Sequence, residues 1–317
     1  MTGVRAATVL GLMQVVVAAA LWGTVGIGTK LLYSMAQTNA LSVGFFRLVL
    51  SVPALALANV AALRARAWHV QRRDLPLMAL IGAMMALYQL CYMSAVRYAG
   101  VTVAVLVTLC VAPVIVAMAS ALWLREPLTW RLGLAMVAAL VGTALLIGLQ
   151  PGEEADANVA LGAVLALGSA AAYAVVTLVS RVLAPRYHPL QPLSIGFAVG
   201  AGALLVVGGI AGNLVLEYAL PAWGVLVWLG LVPTALAYVL FLEGLKHTPA
   251  TVASIAALAE PLTATLLAAV LFDEQLGPQG VIGALLLLSA IILLSLEQAG
   301  MQDERGAIEP SQRKTLS

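Results

Sequence analysis

The sequence predicts an all-α integral membrane protein of ten transmembrane helices, arranged as two inverted five-helix repeats. Three observations carry that expectation. Hydrophobic residues make up 62% of the 317 and charged residues 9%, against roughly 45–50% and about 25% in soluble domains. Apolar runs of about 20 residues, the length that takes a helix across ~30 Å of hydrocarbon, recur from end to end. They lack the apolar–polar alternation of a membrane barrel, so strands are excluded. Finally, a stretch in the first half of the chain reappears in the second.

The apolar runs place helices at 9–33, 39–62, 75–97, 101–122, 131–149, 159–182, 192–212, 222–244, 251–272 and 279–297. Arg5 ahead of the first run, with Ala18–Ala20 inside it, has the outline of a signal peptide. The run nevertheless continues through Trp22 to Tyr33, too long for the apolar core of one. Pro76, Pro192 and Pro221 fall near helix starts, where a missing N–H costs nothing. The stretch QPGEEADAN forms the longest acidic connection, between the fifth and sixth helices.

Charge placement supplies an independent check on these spans. With the connections numbered in order, the N-terminus and the even connections hold Arg5, Arg64, Arg66, Arg72, Arg73, Arg125, Arg131, Arg181, Arg186 and Lys246. The tail adds Arg305, Arg313 and Lys314 to the same face. Only Lys30, Arg47 and Arg97 of the 16 basic residues lie elsewhere, at or inside helix ends facing the other side. Glu153, Glu154, Asp156, Glu217, Asp273 and Glu274 sit opposite. Basic residues stay cytoplasmic, so both termini are expected there.

The repeat is carried by RYAGVTVAVLVTLCVAPVIVAMASALWLREPL and KHTPATVASIAALAEPLTATLLAAVLFDEQL. Thr102, Val103 and Ala104 match Thr251, Val252 and Ala253; Pro113, Ala121, Glu126 and Leu128 match Pro261, Ala269, Glu274 and Leu276. An odd number of helices per unit makes the second copy enter the membrane from the opposite side. Such inverted repeats enclose one cavity near the midplane that opens to either face. The expected units are 1–150, with the first five helices, and 151–298, with the second five. A polar tail over 299–317 is expected to be disordered.

The patterns ALWGTVGIGTKLL, VGFFRLVLSVPAL, ALYQLCYMSAVRYAGVTVAVLVTLCVAPVIVAMASALWLREPL, GAVLALGSAAAYAVVTLVSRVL and GLVPTALAYVLFLEGLKHTPATVASIAALAEPLTATLLAAVLFDEQL occur in that order. Together they resemble the EamA-type transporters of the drug/metabolite transporter superfamily over nearly all of residues 15 to 297. The resemblance implies a ten-helix bacterial inner-membrane protein. Its members export amino acids, metabolites or drugs, some coupled to protons and some facilitating.

Candidate site residues follow from what does not belong in lipid. Glu260, followed by Pro261, interrupts an apolar run. A central acid costs about 2.5–3.5 kcal/mol on insertion scales, so it is turned toward protein or a watery cavity. It reads as a proton site, as the counter-charge of a cationic substrate group, or as a buried acid that only satisfies a neighbour. Pro261 removes the donor for the Ala257 carbonyl, and Pro113 does the same to Leu109 in the matching helix, so the two prolines are candidate hinges. Lys30 reads as a snorkelling cation, and Arg47 as one deep enough to be paired, with Glu260 a candidate partner.

Trp22, Tyr88, Gln89, Tyr92, Tyr173, Thr234 and Tyr238 supply the remaining candidate lining, with Thr29 beside Trp22, and Ser169 and Ser180 in line with Tyr173. Gln89 and Tyr238 fall opposite one another in the repeat. The competing reading makes the aromatic residues interfacial anchors and the serines helix glue. As a set they describe an amphipathic cavity suited to amino-acid-like solutes.

Other chemistries find little support. Cys91 and Cys110 lie in apolar runs as packing residues, and His69, His188 and His247 fall in separate connections, so no metal site is expected. No GxxxxGK[ST] loop is present and no cofactor is expected. An intramembrane enzyme would need clustered acids or a nucleophile with a base, and a passive channel is the other alternative. The implied partners are a small solute, a proton and the bilayer, without nucleic acid. Small-residue edges in the fifth and tenth helices, GLAMVAALVGTALL and GVIGALLLLSA, serve either a homodimer or packing within a monomer's bundle, the latter being the simpler reading.

Overall fold

A computed structural model describes residues 2–148, 158–272 and 277–314. Among the described residues the chain is helical throughout, without strands, and nine helices are long and apolar enough to cross a membrane. In order they are α1 (Thr2–Met35), α2 (Ala40–Leu63), α3 (Leu75–Ala119), α4 (Trp130–Ile147), α5 (Val159–Leu183), α6 (Leu190–Ala211), a seventh in pieces, an eighth in pieces, and α11 (Pro278–Lys314). The seventh joins α7 (Leu220–Gly230) to α8 (Ala237–Gly244) through a π-helical turn at Leu231–Leu236. The eighth joins α9 (Ala250–Ala256) to α10 (Ala259–Phe272). Side chains close several helix starts: Asn39 accepts from Ser42 N, Thr129 from Leu132 N and Asn158 from Leu161 N, each satisfying an orphan donor of the first turn.

The expected third and fourth helices are joined in α3, and this is the main departure from the sequence expectation of ten separate spans. Gly100 interrupts α3 with φ 79 and ψ 165, a conformation closed to residues with a side chain. A straight helix of 45 residues would run ~67 Å, over twice the hydrocarbon thickness. Instead α5 touches both arms. Along the first, Gly162 meets Ala99, Gly168 meets Cys91, and Ser169 Oγ donates to the Tyr88 carbonyl at 3.2 Å, so α5 ascends as α3 descends. Along the second, Thr108 donates to the Ala166 carbonyl, and Val116 and Ala119 pack with Ala174 and Leu178, both ascending. The chain therefore doubles back at Gly100.

The connections gather at two ends. Gln191 donates to the carbonyls of Arg66 and Ala67, Arg186 pairs with Asp74 at 3.1 Å, and Gly11 near the N-terminus lies against His247 and Thr248. At the other end Asn39 donates to the Asn213 carbonyl, Thr38 meets the Tyr218 hydroxyl, and Val215 N donates to Ser42. Packing between is close wherever two glycines face one another. Gly142 of α4 and Gly283 of α11 meet so that a Cβ on Gly283 would fall 2.6 Å from the Gly142 carbonyl oxygen. The small-residue edges of these two helices are thus spent on each other inside the chain.

Beyond residue 298 the helix continues to Lys314, where the sequence predicts a disordered tail. The residues just past the apolar run, Gln298, Ala299, Met301, Gln302, Glu304 and Arg305, include strong helix formers. The acidic connection with Glu153, Glu154 and Asp156, and the pair Asp273 and Glu274, lie outside the described residues.

Candidate functional site

The candidate site is built around two breaks in the helices of the second half. At the first, Pro233 lacks the N–H that would bond the Leu229 carbonyl one turn back. The Thr234 hydroxyl takes over, donating to Leu229 O at 2.8 Å, and the backbone widens into the π-helical turn. The same hydroxyl accepts Arg47 Nε at 3.1 Å. Arg47 of α2 is therefore held to α7–α8 by a hydrogen bond, and the pairing with Glu260 expected from sequence does not form. Thr234 is 1% exposed, so this bond is shielded from water.

The second break lies just before Glu260. Helix α9 ends at Ala256, a turn covers Ala257 and Leu258, and α10 starts at Ala259. Glu260 thus occupies the first turn of α10 rather than the middle of a kinked helix. The Ala257 carbonyl, expected to be freed by Pro261, instead accepts Glu260 N at 3.0 Å, because the turn tightens to bring a nearer donor into reach. Among the described residues no side chain hydrogen-bonds or ion-pairs with the Glu260 carboxylate. Arg47 and Lys30 line the same cavity as Glu260.

A single cavity of about 750 Å³ gathers these groups. Trp22 and Lys30 reach it from α1, Arg47 from α2, Tyr88, Gln89 and Tyr92 from α3, and Tyr173 from α5. Thr234, Tyr238, Glu260 and Pro261 complete the predicted set from the two broken helices. Thr29 lines it too. Four helices contribute rings to a continuous aromatic wall: Tyr92 stacks on Tyr88 at 6.1 Å, Tyr88 meets Tyr173 at 6.1 Å, Trp22 meets Tyr173 edge-on at 6.4 Å, and Trp22 meets Tyr238 at 4.9 Å. The Tyr238 hydroxyl lies 3.5 Å from Met85 Sδ. Gln89 fits only because Gly44 faces it: a Cβ there would fall 2.6 Å from Gln89 Cγ.

Pro113 is the exception among the predicted residues. It is buried away from the cavity, and α3 keeps helical geometry through it, so it forms no break matching that at Pro261. Leu109, whose carbonyl lost its donor to Pro113, does line the cavity. Ser169 and Ser180 also lie outside it, Ser169 spent on the Tyr88 carbonyl. Sequence reasoning missed Tyr33, Thr108 and Thr265, which reach the cavity, and Pro233, which shapes it. Pro233 was the readable one, since a proline three residues after a glycine in an apolar run signals a backbone irregularity. Among the described residues no cluster of His, Cys, Asp and Glu could hold a metal. Cys91 and Cys110 are free thiols, partly buried among helices.

The EamA-like transporter family matches residues 9–148 and again residues 160–296. The chain belongs to that family. It is 30% identical over 283 residues to an uncharacterized transporter of Bacillus subtilis, YwfM, spanning 89% of this chain and 92% of the relative. It is 25% identical to an uncharacterized inner membrane transporter of Salmonella typhimurium, YicL, over 90% and 95% of the two chains. A solved crystal structure superposes with a TM-score of 0.75 at 21% identity, covering 92% of this chain and 98% of that one, a likeness of fold. EamA membership makes this a multi-pass membrane transporter.

Proposed function

We propose that the protein is a secondary carrier that exports a small metabolite, an amino acid or amine, across the bacterial cytoplasmic membrane by alternating access, proton-coupled or facilitative. The observation that carries this reading is the cavity itself. Glu260 stands at a helix break without a side-chain partner among the described residues, and lines the same cavity as the aromatic wall, Arg47 and Lys30. An acid so placed suits either a proton or a cationic ammonium group, and aromatic faces attract the latter. A cavity of about 750 Å³ accommodates an amino acid with water to spare.

We infer ten crossings in two inverted five-helix units. The doubling back at Gly100 supports counting α3 as two spans, and the family matches the chain twice, once in each half. The N-terminal segment and the connections rich in arginine meet at one end, which supports cytoplasmic termini. An odd number of helices in each unit then sets the halves upside down relative to one another around the cavity.

The test is a counterflow screen of amino acids, amines and small acids with purified protein in vesicles. Saturable uptake stimulated by solute on the far side supports the carrier, flux without saturation points to a channel, and turnover of a lipid points to an enzyme. Glu260→Gln separates the two roles of the acid. Loss of pH dependence at retained flux assigns it the proton, loss of binding for amines alone assigns it the ammonium group, and unchanged transport leaves it structural.

A further inference from the structure

The cavity extends from Glu260 to Lys30, Tyr33 and Ala40, beside the connection between α1 and α2. On the far side of Glu260 from that connection lies α9, all seven of whose residues are buried and none of which lines the cavity. Glu126 holds that helix in place. Arg125 adopts a left-handed conformation, φ 55, and Glu126 N bonds back to the Ser120 carbonyl, which aims the Glu126 side chain away from its own helix. One carboxylate oxygen accepts Ala250 N at 2.9 Å; the other accepts Thr251 N and Thr251 Oγ1, both at 3.2 Å. Arg181, at the end of α5, lies 3.6 Å from the same carboxylate and donates to the carbonyls of Leu245 and Lys246, ahead of α9. The Glu126 side chain is only 11% exposed, so these contacts are partly shielded from water and from salt.

Position along two helices places this cluster far from the site. Ten residues, ~15 Å of helix, separate Ala250 from Glu260. In α1, Gly11 lies against His247 and Thr248 while Gly23 lies against Glu260, again about three turns apart. Glu126 belongs to the part of the chain matched in 9–148, whereas α9 and Arg181 belong to that matched in 160–296. The contacts therefore join the two halves on the side of Glu260 away from Lys30 and Tyr33.

We propose that Glu126 is the latch of the cavity's closed end: its grip on Ala250, Thr251 and Arg181 holds α9 across the exit, and solute leaves on that side only after the grip is released. The proposal rests on the reading that solute passes through this cavity. Glu126 acts as a positioning residue and does not touch solute.

The test needs no substrate. In a background with Cys91→Ala and Cys110→Ala, Ser254→Cys reports on buried α9 and Met93→Cys on the cavity. A membrane-impermeant maleimide is applied from each side of sealed vesicles. Adding Glu126→Ala should raise the labelling rate at position 254 from Glu126's side at least tenfold and lower the rate at position 93 from the other side. Thr251→Val, which removes one of the three hydrogen bonds, should give the same pattern with a smaller change. Variants that melt as the parent does yet label at the parent's rates would overturn the latch, leaving α9 held by packing alone. Should Glu126→Ala fail to fold, Thr251→Val and Arg181→Lys decide on the same readout. A counterflow screen that finds no solute would sink the carrier reading and leave these rates interpretable; transport with unchanged rates would sink the latch alone.

Discussion

Gly23→Ala probes the seat of α1 on the break that presents Glu260. An added Cβ would fall 2.6 Å from the Glu260 carbonyl oxygen, 2.8 Å from Thr263 Cβ and 2.9 Å from Ala264 N, where ordinary contacts lie at 3.4–4 Å. Two of the three obstacles are backbone atoms that cannot swing aside. The helices must therefore part by roughly 0.5–0.8 Å to restore a normal contact distance. Overpacking of this kind costs about 1–3 kcal/mol. If the seat is made in one conformation of the cycle and not the other, that cost shifts the balance between them by about 5- to 150-fold. The assay pairs thermal unfolding in detergent with counterflow in vesicles, using Gly133→Ala as control because nothing lies within 4 Å of its Cβ position. Gly23→Ala should lower the melting temperature, the flux, or both, while Gly133→Ala should match the parent. Parent-like melting and parent-like flux in Gly23→Ala would refute the seating of α1 against Glu260.

Other substitutions test separate joints of the same account. Thr234→Val removes the acceptor of Arg47 Nε and the donor to Leu229 O, leaving a charged group unsatisfied at a cost of about 1.5–3 kcal/mol, so melting should fall clearly below that of Thr234→Ser. Pro261→Ala should slow counterflow more than it changes half-saturation, whereas Pro113→Ala, at a position outside the cavity lining where α3 keeps its helical geometry, should change neither by more than about twofold; equal effects on both would return the hinge to Pro113. Gly82→Ala drives a methyl into the Gly196 carbonyl oxygen where α3 crosses α6, and expression of folded protein should drop sharply; full recovery of folded protein would mean the crossing is looser than it stands.

Much of this arrangement was legible because lipid makes polar residues conspicuous. Glu260, Arg47, Gln89 and Thr234 are out of place in apolar runs, and that misplacement alone pointed to one cavity. Periodicity put Tyr88 and Tyr92 on one face, and they stack there. What remained hidden depends on which partner a group meets in space. The sequence offered Glu260 as a candidate partner for Arg47, but the Thr234 hydroxyl, which takes over the Leu229 carbonyl that Pro233 leaves without a donor, lay within hydrogen-bond reach. The two prolines looked equivalent by repeat, yet only the one preceded by a turn at Ala257 and Leu258 breaks its helix, since a single lost hydrogen bond is tolerated where neighbouring helices hold the backbone straight. Gly100 read as the end of one helix and the start of another; its positive φ turns the chain through almost no connection at all. Glu126 was noticed only as a repeat match, because its partners are backbone N–H groups that leave no mark in a sequence.

The most direct measurement of whether the cavity is the solute site is protection of Met93→Cys, again with Cys91→Ala and Cys110→Ala, by whichever solute counterflows. That solute, at saturating concentration, should slow maleimide labelling of position 93 several-fold, and the protection should weaken in Glu260→Gln in step with the loss of binding. A solute that is transported at the full rate yet leaves labelling of position 93 untouched would mean that it travels by another route.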